Sequence, residues 1–145
     1  MTLGSCRTFR AVITVLALVA ALTACDALSP APTQSPLGGT WHVVELNGVA
    51  IDHADAAVIQ FTVGGDIQGS SGCHDFRGPV RIGAGTLEVG TLTFGTESTC
   101  TAAAKDIERA FLTVLRDVST FRDGRPGTEL VLEGEAGTIV LTTGL

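Results

Sequence analysis

The sequence predicts an α+β fold: a curled antiparallel β-sheet approaching a barrel, with one amphipathic helix packed on it. Three observations carry this expectation. Short alternating apolar runs recur from Leu37 onward, and glycines punctuate them at close intervals. One segment alone, Thr101–Val118, switches to a helical period. The 145-residue chain has room for one ordinary domain and little else.

Thr40–Leu46 is the first strand-like run, and it stops at Asn47-Gly48, a turn dipeptide. Ala57–Val63 places Ile59, Phe61 and Val63 on one face and Gln60 and Thr62 on the other. Gly64-Gly65 then offers a two-residue hairpin turn, and Asp66–Ser71 returns with Ile67 inward. Strands are expected next at Arg77–Ile82 and Thr86–Val89, linked by Gly83-Ala84-Gly85, and at Thr91–Phe94. The chain closes with Ser119–Arg122, Glu129–Glu133 and Thr138–Thr142. In Thr101–Val118 the apolar residues Ala103, Ile107, Ala110, Phe111, Val114, Leu115 and Val118 step by threes, fours and ones, which is helical spacing. Lys105, Asp106, Arg109, Arg116 and Asp117 occupy the opposite face.

Residues 1–36 have another character. Arg7 and Arg10 precede an apolar stretch, Ala11–Leu22. Its dozen or so residues fall short of the about 20 that a membrane-spanning helix needs. A charged start and a short apolar run are the pattern of a secretory signal. The residues that follow, Leu22-Thr23-Ala24-Cys25, resemble the lipobox of bacterial lipoproteins. That resemblance implies a diacylglycerol thioether on the Cys25 thiol and cleavage before it. The alternative is an ordinary signal cleaved at a small-residue site, with Cys25 a bystander. Residues 1–24 are therefore expected to be a lipoprotein signal peptide, and residues 25–36 a lipidated cysteine and tether. Asp26–Pro36 carries three prolines and no aromatic residue, too little apolar surface to fold. The expected location is the cell membrane, on its extracytoplasmic face, with palmitate among the anchoring chains. Two acyl chains supply the second anchoring signal that a single chain lacks.

Nine Lys and Arg against fifteen Asp and Glu give a net charge of −6. Without residues 1–24, seven basic residues face all fifteen acidic ones, a charge of −8. Binding to nucleic acid rests on neutralising phosphates with Lys and Arg, so nucleic acid is excluded as a partner. With Cys6 in the signal and Cys25 lipidated, Cys73 and Cys100 are left as an even pair in an oxidising compartment. A bridge between them would close a loop of about 27 residues and stabilise the fold by on the order of 3–4 kcal/mol. The alternative is a reactive or metal-binding pair, against which stand the lack of a Cys-x-x-Cys and of a second close ligand.

A wider pattern connects these elements. Leu37-Gly38-Gly39-Thr40-Trp41 opens the domain, and Ile67, Gly69, Gly72-Cys73-His74, Phe76 and Gly78 follow the second hairpin strand. Leu92, Phe94 and Thr96 lead to Cys100, and Glu108, Phe111, Leu112 and Leu115 lie in the helix. This pattern, over nearly all of 37–145, resembles the META domain family, whose bacterial members include the heat-inducible HslJ-type envelope lipoproteins. The family's usual asparagine after Gly-Cys is His74 here, so a role of that asparagine's side chain does not transfer. The resemblance implies a β-rich α+β domain in the envelope with no established catalytic activity. It supplies no substrate.

Candidate chemistry is sparse. His74-Asp75 beside Cys73 pairs an imidazole with a carboxylate, the makings of a base or a metal ligand. In place of a turn-forming asparagine, however, His74 is expected to make a local hydrogen bond or to take a left-handed conformation. His53 and Asp55 flank Ala54 in a loop and His42 follows Trp41; three separated histidines make no zinc site without proximity. Gln68-Gly69-Ser70-Ser71-Gly72 has neither the order of a nucleophile elbow nor the lysine and helix of a phosphate loop. Its glycines are expected to let a strand bend at a barrel corner. Glu45, Glu88, Glu97 and Glu108 are scattered, with no close carboxylate pair. No catalytic residues, metal or cofactor are expected. The expected function is that of a monomeric, membrane-anchored envelope lipoprotein with a non-catalytic domain, a protein-interaction or stress-tolerance module for an unidentified envelope protein. The alternative is a binding protein for a small apolar ligand or lipid tail, with Ile59, Phe61, Ile67 and Leu132 lining a hollow barrel. A hydrolase or metal-dependent enzyme using His74 and Asp75 is the third possibility.

Overall fold

The structure is a computed structural model that describes residues 37–52, 57–96 and 99–144. The expectations placed on residues 1–36, Cys25 included, and on His53, Asp55 and Glu97 lie outside the described residues. Among the described residues the elements follow the order β1 (Gly39–Leu46), β2 (Val49–Ala50), β3 (Val58–Phe61), β4 (Asp66–Ser70), β5 (Asp75–Ile82), β6 (Leu87–Val89) and β7 (Thr93–Phe94). Helix α1 (Ala102–Asp117) comes next, then β8 (Val118–Asp123), β9 (Glu129–Gly134) and β10 (Gly137–Thr142).

The strands form one antiparallel sheet in the order β6-β5-β4-β3-β1-β10-β9-β8, with β2 beside β1 and β7 beside β5. β1 is the hinge of this order. Its first half pairs with β3, Trp41 opposite Ile59, and its second half with β10, Leu46 opposite Ile139. The turn from β1 to β2 is built by Asn47 at φ 51° and Gly48 at φ 78°. Two consecutive left-handed residues match the twist of a tight hairpin, which is why Asn-Gly stands there. The two ends of the sheet meet: Thr86 bridges Thr120, and the Phe121 amide donates to the Gly85 carbonyl at 3.0 Å. The sheet thus nearly closes on itself, an α+β barrel-like body with helix α1 packed on it.

Strand alternation decides what faces inward. Ile59, Phe61, Ile67, Phe76, Leu130, Leu132, Ile139 and Leu141 are buried in one core. From the helix, Phe111, Val114 and Leu115 join them, and the Phe76 and Phe111 rings lie 6.1 Å apart at 52°. Thr101 caps the helix, its hydroxyl accepting from the Ala104 amide at 3.1 Å. Trp41 is buried with its indole N–H on the Leu37 carbonyl at 2.9 Å, so the chain's entry into the domain is pinned to the core.

Three expectations are corrected in detail. Val63 does not continue the inward face of β3; the strand ends at Phe61 and Val63 is 83% exposed at the turn. The buried stripe of α1 is turned relative to the expected one. Ala103 and Ala110 are exposed, whereas Glu108 lies on the buried face with Phe111 and Leu115. Gly69 sits in regular pairing with Ile59 and Phe76 rather than at a bend; a Cβ there would collide with the Val58 carbonyl. Close backbone approach, not bending, is what requires that glycine.

Candidate functional site

The turn from β4 to β5, Ser71–His74, is where the sequence-predicted residues converge. Gly72 at φ 101° supplies the left-handed step, and the Ser71 amide donates to the His74 carbonyl at 2.8 Å. This closed turn presents Cys73 to Cys100, and the two form a disulfide with Cα atoms 5.8 Å apart. The bond ties the turn to the residue just ahead of the helix cap. It replaces the alternative of a reactive or metal-binding pair.

A second tie runs parallel to the first. The carboxylate of Glu108, only 7% exposed, receives the Ser71 hydroxyl, the His74 amide at 3.2 Å and the His74 ring Nδ1 at 2.9 Å. The Ser71 hydroxyl also lies 2.8 Å from the His74 carbonyl, but its one proton belongs with the charged acceptor. His74 therefore makes neither a left-handed turn nor a purely local hydrogen bond. Its ring partner is thirty-four positions away in sequence. Asp75, its partner only in the rival catalytic or metal-binding reading, is exposed and lines a groove on the outer face. Glu108 is the residue that sequence reasoning missed. The available signal was its place three residues before Phe111 and seven before Leu115, within the buried stripe.

The electrostatics of this clamp have a definite sign. Burial pushes the Glu108 carboxyl up, but the hydrogen bonds from Ser71 and His74 and the charge of His74 outweigh it and hold it below the ordinary glutamate value of 4.5. A carboxyl depressed in the folded state contributes stability that is fully present above 4.5 and is lost as pH falls through its lower folded value. Glu108→Gln is expected to lower stability by about 1.5–3 kcal/mol at pH 7 and to flatten the acid limb of the stability curve. Urea unfolding at a series of pH values checks both; an acid limb unchanged by the substitution would assign the pH dependence to other groups.

Phe94, 40% exposed, connects the clamp to the surface around it. The His74 ring meets it edge-on at 6.3 Å, and the Arg116 guanidinium stacks 5.4 Å from its centroid. Phe94 also borders an open groove of about 500 Å³ on the outer face of β1, β3, β4, β5 and β7. Across this groove Thr40, Gln60, Gln68, Arg77 and Thr93 stand opposite one another, strand by strand. His42 lies on β1, opposite Val58 and Thr142. Among the described residues no three His, Cys, Asp or Glu side chains converge as a metal site would require.

A nearly closed antiparallel sheet, helix α1 on its core side and a turn stapled to that helix's start define a small α+β domain. Residues 34–144 match the META domain family, and the chain belongs to it. Among solved structures, a protein from Burkholderia xenovorans determined by NMR is similar at 22% identity, TM-score 0.60, over 82% of this chain and 94% of that one. A second NMR structure matches at 16% identity and TM-score 0.58, over 76% of this chain and 95% of that one. A crystal structure of a DUF4847 family protein from Bacteroides vulgatus matches at 17% identity and TM-score 0.52, over 74% and 94%. At these identities the likeness is one of fold. No curated protein was found to match the chain.

Proposed function

We propose that this META-domain protein is exported, lipidated at Cys25 and held by its acyl chains on the extracytoplasmic face of the cell membrane, where the domain serves as a non-catalytic interaction module in stress tolerance. The observation that carries the proposal is Leu22-Thr23-Ala24-Cys25 directly after the Ala11–Leu22 apolar stretch. The Cys73–Cys100 bridge supports it independently, because such bonds persist in oxidising compartments.

The geometry of the clamp speaks against a serine proton relay there. Ser71 is 1% exposed, out of a substrate's reach. Its hydroxyl and the His74 ring both address the same Glu108 oxygen, so the imidazole does not stand between serine and carboxylate as a proton relay requires. The packing favours a filled interior over a hollow one: Ile59, Phe61, Ile67 and Leu132 are 0–3% exposed and share one core with Phe111 and Leu115.

Growth with labelled palmitate tests the anchor. Label is expected on the wild-type protein in the membrane fraction and none on Cys25→Ala. A wild-type protein that takes up no label, with its amino terminus at another residue, would overturn the proposal.

A further inference from the structure

The outer face of the sheet carries a feature that neither the core nor the clamp uses. Thr40, Gln60, Gln68, Arg77 and Thr93 are direct cross-strand partners in β1, β3, β4, β5 and β7. Direct partners share a face, so the five side chains form one row at right angles to the strands. At about 4.8 Å per strand the row runs roughly 19 Å. It lines the open groove of about 500 Å³ described above.

The hydrogen-bonding capacity of this row is only partly satisfied. Gln68 Nε2 donates to Gln60 Oε1 at 2.7 Å, Arg77 Nη2 to Asp66 at 2.7 Å, and the Thr93 hydroxyl to the Arg77 carbonyl at 3.0 Å. The Gln60 amide protons, the Gln68 carbonyl, further guanidinium protons of Arg77 and the Thr40 hydroxyl extend the row as a mixture of donors and acceptors. A sugar hydroxyl is both donor and acceptor, so a chain rich in hydroxyls satisfies such a row, which an apolar tail does not. Charge narrows the class further. Arg77 is compensated by Asp66, Asp75 also lines the groove, and acidic residues outnumber basic ones across the chain. A polyanion is repelled by that balance, and an uncharged chain is not.

Spacing supplies the last element. An extended β-1,4-linked chain of pyranose rings advances, ring by ring, by close to the strand spacing of about 4.8 Å, so successive rings lie over successive members of the row. We propose that the row Thr40–Gln60–Gln68–Arg77–Thr93 binds an uncharged β-1,4-linked glycan chain laid across the strands. The proposal rests on the envelope placement above for the source of the glycan, and on the register alone for the site.

The test titrates chitohexaose into the full chain, purified from its membrane fraction in detergent micelles, and follows it by amide NMR and calorimetry. Saturable shifts confined to β1, β3, β4, β5 and β7 are expected. The double variant Gln60→Ala/Gln68→Ala, at exposed and half-buried positions, is expected to bind at least tenfold more weakly with its unfolding midpoint unchanged. Absence of saturable shifts at millimolar chitohexaose, equal binding by the variant, or tighter binding of dextran sulfate than of chitohexaose would each overturn the proposal. The two proposals fail separately: an unlabelled Cys25 with intact glycan binding refutes the anchor, and an acylated protein without binding refutes the row.

Discussion

Truncating Phe111 to alanine is expected to destabilise the domain by about 3–5 kcal/mol, the range for removing a fully buried aromatic side chain. Phe111 is 1% exposed, its ring sits 6.1 Å from that of Phe76, and Val114 and Leu115 flank it on the same helix. Alanine leaves a void that the surrounding strands, tied into a nearly closed sheet, collapse into only partially. Against a typical total of about 5–15 kcal/mol for a small domain, the loss is a large fraction of stability. Urea unfolding reads it as a lower midpoint at an unchanged slope. A near-neutral result would mean that the helix presents another face to the core.

Opening the disulfide has the second-largest expected effect. Cys73→Ala/Cys100→Ala removes a cross-link over a sequence separation of 27 residues. The expected loss is on the order of 3–4 kcal/mol, chiefly through a less constrained unfolded chain. The position of the bond makes a further consequence testable. The disulfide joins Cys73 to the segment before α1, and Glu108 joins Ser71 and His74 to the second turn of the same helix. Both ties hold one turn to one helix, so their effects are expected to couple. In a double-mutant cycle with Glu108→Gln, the interaction energy should exceed the about 0.3–0.5 kcal/mol scatter of independent sites. Strict additivity would show that the two ties stabilise separate parts of the fold.

Much of this fold was legible in the residues because its signals are local. Asn47-Gly48 marks a hairpin by backbone preference alone, and it is where β1 turns into β2. Thr101–Val118 reads as helical from Phe111, Val114, Leu115 and Val118, the large residues that do pack inward. Ala103 and Ala110 misled because a methyl group is tolerated on either face, and both are exposed. Val63 misled because alternation was extended into a turn that interrupts it. The pairing of Cys73 with Cys100 followed from elimination, since Cys6 and Cys25 had other expected fates.

The clamp and the outer row were not legible, for a physical reason. Glu108 reads as one more surface carboxylate until the fold brings Ser71 and His74 to it from 37 and 34 positions away. A carboxylate on a buried stripe is a hint that some partner exists, but helical periodicity does not name it. The row from Thr40 to Thr93 depends on the register of four strand pairings at once. A slip of one residue in any of them would move a member to the other face. META-family membership locates neither, because the match names the domain and its bounds and no site within it.

The central claim, a disulfide-stapled META domain anchored through Cys25, is tested most directly by intact mass spectrometry of the protein recovered from the membrane fraction. The account predicts one species whose chain begins at Cys25, carries acyl chains on that residue and lacks the two thiol hydrogens of Cys73 and Cys100. A chain that retains residues 1–24, or begins elsewhere with Cys25 unmodified, would contradict the anchor; a mass that keeps both hydrogens would contradict the staple.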